Sequence, residues 1–407
     1  MFYTCFPVTC EVQVNIWLVA SLWVGLALAA SMLSIRLGMA VALVEIGVGV
    51  LAGNLLHITP NDWINFLAGF GSILLTFLAG AEIDPDVLRA NLKESLVIGT
   101  VGCLSPAIGA FSVAYWILHW NFQSAAICGI ALSTTSVAVV YAVMIETGLN
   151  EKEIGKVILS ACFVNDLGTV VILGLLFANY NRWLAAFVVL TGVVLWSLPA
   201  VTGWYFRKVG NRVSEPEIKF VLFILFILGG MAGIAGSEAV LPAYLIGLVL
   251  ARQFLHNRVL MHRMRAIAFS ILTPFYFLKA GSLVAVKSLV SPLAIIIVVG
   301  LLAVKMVTKF IAVMPSTLAF RFGRRKSLYT TLLMSTGLTF GTISALYGFS
   351  HGYIDRQQYT WLVTVVILSA IVPTLIAERF FRPGDESPTE PVAVALVAAG
   401  NRAESEA

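Results

Sequence analysis

The sequence predicts an all-α membrane protein of about thirteen transmembrane helices. Three observations carry that expectation. First, the 407 residues are 59% hydrophobic and only 12% charged, with a mean hydropathy of +0.93. A soluble domain carries about 25% charge, and a soluble chain of this make-up would expose more apolar surface than solubility tolerates. Second, apolar runs of spanning length alternate with short polar breaks from end to end. Third, Lys and Arg gather in every second break, as expected of loops on one side of a bilayer.

The runs place helices near 14–34, 38–56, 63–83, 94–118, 123–146, 154–179, 183–206, 217–236, 239–256, 266–287, 291–314, 328–349 and 358–378. Each is close to the roughly 20 apolar residues that a crossing needs. The breaks carry turn chemistry, such as Thr59-Pro60-Asn61-Asp62 and Ser291-Pro292. Helices are the choice because lipid offers no partner for unpaired backbone groups. A β-barrel would show alternating segments of about ten residues, and none are visible.

Counting along this division, 20 of the 26 Lys and Arg lie in the loops after segments 1, 3, 5, 7, 9 and 11 and in the tail. The opposite loops hold Arg182, Lys287 and Arg356, and the remaining three are Lys279, Lys305 and Lys309 inside apolar runs. This split places the N-terminus outside and the C-terminus in the cytoplasm of a multi-pass cell-membrane protein. The net charge of +5 is no sign of nucleic-acid binding, because the basic residues sit in short clusters between spans. Residues 1–382 form the transmembrane domain. Residues 383–407 read as a disordered cytoplasmic tail, too short for a fused regulatory domain. Cys103, Cys128 and Cys162 read as small packing residues. Cys5 and Cys10 can bridge if that end faces an oxidising space. The first dozen residues lack the basic region of a cleavable signal peptide.

Ionisable residues inside spans are costly and therefore informative. The acidic ones are Glu45, Glu82 and Asp84 at a helix end, Asp166, and Glu238 in a turn. Asp166 lies near the middle of segment 154–179, hence near the midplane. An unpartnered carboxylate there takes up a proton, and a monovalent cation can replace that proton by direct coordination. The other reading of Asp166 is half of a salt bridge between helices. Asn165 lies about 100° around the helix, where it can add a carbonyl ligand, cap a broken helix or simply pack.

Two segments carry runs of small hydroxyl residues: Ser133-Thr134-Thr135-Ser136, and Ser335-Thr336-Gly337-Leu338-Thr339. Either can bond back to its own helix. Together they read as interrupted helices, and a matched pair in two inverted halves is the best sequence pointer to a transport site. Lys305 precedes the second run and can reach the crossing, where it would neutralise Asp166, or else snorkel. Lys309, nearer the basic loop, snorkels more easily, and the role of Lys279 is open.

These stretches resemble a known family. Ala131–Val140 (ALSTTSVAVV), Glu146-Thr147-Gly148-Leu149 and Cys162–Gly168 (CFVNDLG) resemble the monovalent cation:proton antiporter-2 family, and Glu45, Gly53-Asn54 and Phe77–Asp84 (FLAGAEID) support it. The resemblance covers nearly the whole membrane part. It implies an inverted repeat with two crossing discontinuous helices, a core formed by residues 94–179 and 291–379, a homodimer and elevator-like movement. It also implies ion and proton binding at Asp166, with Asn165, Ser133, Thr134 and Thr135 around it. Ser136, Gly337 and Thr339 lie in the discontinuities, and Lys305 acts as the supporting charge. Asn165 stands where electrogenic members carry Asp and many electroneutral relatives carry Asn. The second broken segment lacks the Arg-Gly-Glu type sequence of many relatives.

The function expected is exchange of Na+ or K+ for H+, electroneutral, with no cofactor. The alternatives are a sodium-coupled symporter of an organic anion and a passive channel. An enzyme is disfavoured: no nucleophile–base pair stands out, and His57, His119 and His351 lie near the outer face.

Overall fold

Apolar length and polar caps together set the helices. The computed structural model describes residues 15–37, 39–147, 149, 152–177, 182–210, 212–235 and 239–382. The elements are α1 (Ile16–Leu37), α2 (Val41–Leu55), α3 (Asp62–Ala81), α4 (Pro85–Ala90), α5 (Leu92–Ser112), α6 (Phe122–Ser133), α7 (Val137–Thr147), α8 (Glu153–Leu176), α9 (Arg182–Val209), α10 (Pro216–Ala235), α11 (Val240–His256), α12 (Arg258–Ile267), α13 (Thr273–Ser282), α14 (Pro292–Ala319), α15 (Arg324–Met334), α16 (Thr339–Ser350) and α17 (Arg356–Ile376). Wider π-turns extend α5 through Val113–Ile117, join α12 to α13 through Ala268–Leu272, and extend α17 through Ala377–Phe381.

Helix starts follow the polar breaks. Asn61 accepts the Ile64 N–H at 3.2 Å to cap α3, and Asn121 accepts Ser124 N–H at 2.7 Å to cap α6. Ser291 caps α14 through Ala294 N–H at 3.2 Å. Asp355 and Gln358 form a reciprocal capping box at α17. The expected helix-end charges behave as such: Asp84 caps α4, and Glu82 follows the last turn of α3.

Nine segments among the described residues are long and apolar enough to cross a membrane, one of them the broken pair α15–α16. The other four expected segments are helical as shorter or broken pieces: α2, α6 with α7, α11, and α12 with α13. Helix length alone therefore does not fix the count at thirteen. Large apolar side chains point outward, among them Trp196 (87% exposed) and Ile35 (83%). That is the arrangement of a protein whose solvent is lipid.

Two packing groups position the site. In one, α5, α6 and α8 pack together and against α14, α15, α16 and α17. In the other, α2 and α3 pack on α13 and α11, with α1 and α9 outside. The α2–α13 contact is a backbone approach: a Cβ on Gly49 would strike the Leu278 carbonyl, and one on Gly281 the Ile46 carbonyl. Small residues at such contacts are how membrane helices gain packing. In the first group the order long helix, broken helix, long helix occurs twice, as α5, α6–α7, α8 and as α14, α15–α16, α17. Cys5, Cys10, Gly148, Glu238 and residues 383–407 lie outside the described residues, as do the side chains of Glu146 and Thr147.

Candidate ion site at the crossing of two broken helices

The two hydroxyl-rich runs interrupt their helices and touch each other. Thr134, Thr135 and Ser136 separate α6 from α7, and Ser335 to Leu338 separate α15 from α16. Thr339 opens α16 and is not part of the break. An interruption frees backbone donors and acceptors, and a buried one must find partners for them. The hydroxyls supply many of these. Ser133 Oγ donates to the Ile130 carbonyl at 2.8 Å, Thr134 Oγ1 to Ala131 at 3.1 Å, and Thr336 Oγ1 to Leu333 at 2.8 Å. Across the crossing, the Ser136 N–H donates to the Thr336 carbonyl at 3.1 Å and Thr135 Oγ1 to the Met334 carbonyl at 2.8 Å. Ser133, Thr134, Thr135 and Ser136 are fully buried.

Helix α8 lays Asn165 and Asp166 against this crossing. Asn165 Oδ1 accepts the Thr135 N–H at 3.1 Å, taking up a donor freed by the break. Thr169, one turn on, donates to the Asn165 carbonyl at 3.0 Å and lies 3.2 Å from Ser133 Oγ. Asp166 is 2% exposed, yet its Oδ1 has no hydrogen-bond partner, and neither has Asn165 Nδ2. Buried polar atoms are nearly always satisfied, so an open carboxylate oxygen here fits a group built to take a ligand. Among the described residues no three His, Cys, Asp or Glu gather as a multivalent metal site would need. One carboxylate balances one monovalent charge.

The lysines divide the expected role between them. Lys309 does not snorkel: it is fully buried, because α5, α15 and α17 pack around α14. Its Nζ donates to Thr135 Oγ1 at 3.0 Å, on the residue whose N–H is held by Asn165 beside Asp166. Lys305 also reaches the crossing fully buried, but its Nζ donates to Ser369 Oγ at 3.1 Å and its charged neighbour is Lys309. Thus Lys309 bonds the first break at Thr135, and Lys305 the Ser369 hydroxyl that also holds the Gly337 carbonyl of the second. The spacing of four held the clue, since residues four apart share one helix face. Ser369 and Thr169 also escaped the sequence reading. Thr169 had a signal, standing three after Asp166 on its face; Ser369 had none.

A cavity of about 770 Å³ leads toward the site from the face that carries the basic loops. Its inner lining includes Ser160, Phe163 and Val137, and its mouth holds Glu82, Lys156, His262 and Arg265. Phe163 stands one turn before Asp166 in α8, with its carbonyl bonded by Tyr244 Oη at 3.1 Å. On the opposite face a smaller cavity of about 220 Å³ is lined by Tyr276, Lys279, Tyr347 and His351. Lys279 lines this smaller cavity and not the larger one. Glu45 is buried in α2 with Oε2 lacking a hydrogen-bond partner. Cys103, Cys128 and Cys162 are free and buried, as expected of packing residues.

Known proteins match this chain over most of its length. Probable Na(+)/H(+) antiporter 3 of Methanocaldococcus jannaschii is 24% identical, over 82% of this chain and 88% of its own. The Na(+)/H(+)-K(+) antiporter GerN of Bacillus cereus is 24% identical, over 87% of this chain and 93% of its own. The solved structure of the sodium proton antiporter MjNhaP1 of M. jannaschii has a TM-score of 0.66 at 15% identity, covering 89% of this chain and 98% of that one, and so shares the fold. The family model for the transmembrane sodium/hydrogen exchanger matches residues 23–382, nearly the whole helical body, and the chain belongs to the sodium/hydrogen exchanger family.

Proposed function

We propose that this protein exchanges one monovalent cation, Na+ or K+, for a proton by competition at Asp166. The observation that carries this reading is a buried carboxylate with an open oxygen beside two broken helices. Protonated, Asp166 is neutral and the site is free of cation. Deprotonated, it offers one negative charge, with hydroxyl and carbonyl oxygens of the crossing at hand. Carboxylate, hydroxyl and carbonyl are hard oxygen donors. The named relatives are antiporters, which favours exchange over symport of an organic anion.

The loop charges support an orientation with the N-terminus outside and the C-terminus in the cytoplasm. On that orientation the 770 Å³ cavity is the cytoplasmic approach. The group α5–α8 with α14–α17 serves as the moving core, and the remaining helices as scaffold and homodimer contact. Alternating access then follows from sliding of the core, elevator-fashion, with the dimer resting on the family resemblance. Protein purified into proteoliposomes, with internal pH read while external Na+, K+ or Li+ is stepped, tests the function. Cation-dependent proton efflux is expected. Cation uptake that needs an organic anion and moves no protons would overturn the reading.

A further inference from the structure

Two sulfur atoms lie beside the candidate ion site. Cys162 Sγ on α8 donates to the Sδ of Met334, the last residue of α15, at 3.6 Å, and both residues are fully buried. Cys162 stands one turn before Asp166, on the same face of α8. Met334 reaches the site from the other side, where its carbonyl accepts Thr135 Oγ1 at 2.8 Å across the crossing. A Cβ built on Gly102 of α5 would come within 3.4 Å of Met334 Cε and 3.5 Å of Asn165 Nδ2. The thioether methyl and the unpartnered amide nitrogen therefore border one small space. Ser160 and Phe163, on either side of Cys162 in α8, line the larger cavity.

Thiolate and thioether are soft donors, which select monovalent ions such as Ag+ and Cu+. The oxygens around Asp166 prefer hard cations. A path that admits a monovalent cation to Asp166 thus brings Ag+ within one helical turn of a better pair of ligands. Two metal–sulfur bonds of roughly 2.3 Å span at most about 4.6 Å in a line, so the pair opens by about 1 Å to hold an ion between them. The Met334 side chain is unbranched and can yield, but its backbone is tied to Thr135 at the break.

We propose that Cys162 and Met334 form a trap for a soft monovalent cation, Ag+ or Cu+, and that its occupation distorts the crossing and stops exchange. Capture replaces the thiol proton: Cys162–SH and Ag+ give Cys162–S–Ag and H+. Met334 Sδ donates a lone pair, the proton leaves to water in the cavity, and no atom changes oxidation state. The route of entry and the block rest on the exchange reading; the sulfur pair itself does not.

Silver nitrate in chloride-free buffer is the probe, on protein carrying C5S/C10S so that the cysteines ahead of α1 take none. Silver bound per chain is measured by elemental analysis after desalting. Exchange is measured in proteoliposomes before and after silver, each variant against its own untreated rate, with folding checked by size exclusion. The C5S/C10S protein is expected to hold silver and to lose exchange until dithiothreitol removes the metal. Folded C162A is expected to hold none and to exchange as before. M334L keeps the thiol and loses the thioether, and should bind silver at least about tenfold more weakly. C103A and C128A should behave as the C5S/C10S protein does. Silver retained by C162A, affinity unchanged in M334L, or silver held at Cys162 without loss of exchange would each overturn the proposal. Absence of exchange in the untreated wild-type protein would instead strike the functional reading, and silver binding would still report on the pair.

Discussion

Asn165 accepts the backbone N–H of Thr135 at 3.1 Å, so one side chain of α8 closes a break in the neighbouring helix. The amide thereby has a structural duty besides any part in ion binding. Asn165→Ala leaves a buried donor unsatisfied, at a cost of about 1–3 kcal/mol. A lower melting temperature in detergent is expected for Asn165→Ala, whereas Asn165→Asp, which keeps an acceptor, should melt near the wild type. Equal melting of all three proteins would show that Asn165 does not secure the break.

Asp166 Oδ1, in contrast, has no hydrogen-bond partner. Asp166→Asn keeps the shape and removes both the titration and the charge. A folded protein without cation-dependent proton flux is the expected outcome, measured by internal pH in proteoliposomes. Flux at the wild-type rate would remove Asp166 from the mechanism.

Much of this was legible in the sequence, for physical reasons. A carboxylate at midspan is too costly to be incidental, so Asp166 stood out. Four consecutive hydroxyl residues in an apolar run announce freed backbone groups, and Thr134 to Ser136 are non-helical as expected. The assignment of the lysines was not legible from position along the chain. Lys309 lies nearer the basic loop, which suggests an easy path to water. Its depth is set instead by tilt and by the helices around α14, and burial of Lys305 carries Lys309 with it. The partners Ser369 and Met334 belong to segments 32 and 199 residues away from the groups they bond, Gly337 and Thr135. No local pattern encodes such distances.

On the proposed mechanism, Lys309 competes with the transported ion for the negative charge of Asp166. With Lys309→Met, the site loses a nearby cation and a donor to Thr135. The apparent KM for Na+ should fall several-fold, because a charge at short range in an effective dielectric near 20 contributes on the order of kcal/mol. The maximal rate should fall as well, since the substitution also removes the donor that Lys309 gives Thr135 at the break. A rate and KM both at wild-type values would place Lys309 outside the working site.

At the mouth of the larger cavity Arg265 pairs with Glu82 at 2.8 Å. Glu82 lies just past the end of α3. Burial raises its carboxyl above the ordinary value, with the charge and hydrogen bond of Arg265 pulling the other way. As pH on that side falls toward the raised value, Glu82 takes a proton and Arg265 is left as an unbalanced cation on the approach. The apparent KM for the cation should therefore rise at acidic pH. The pair is partly exposed and worth at most about 1 kcal/mol, so the rise is no more than about fivefold. Glu82→Gln should show the higher KM at every pH, keeping only the acidic rise that proton competition at Asp166 produces. An acidic rise in Glu82→Gln as large as that of the wild type would remove Glu82 from it.

The charge moved per cycle follows from Asn165. At this pair of positions the site has one carboxylate, Asp166, beside a neutral amide. If one cation replaces one proton there, no net charge crosses, and exchange should ignore membrane potential. Lys309 is the group that could change this count. It is buried and acts on Asp166, and a lysine that released its proton on cation binding would add a second proton to the cycle. The structure gives Lys309 a hydroxyl partner in Thr135. Proteoliposomes clamped at a series of potassium-diffusion potentials, with sodium as the driving ion, decide between the two. The wild-type rate should be flat across voltage, and Asn165→Asp, which adds a second carboxylate, should become voltage-dependent. A wild-type rate that climbs with the imposed voltage would sink the electroneutral reading and make Lys309 the second proton carrier.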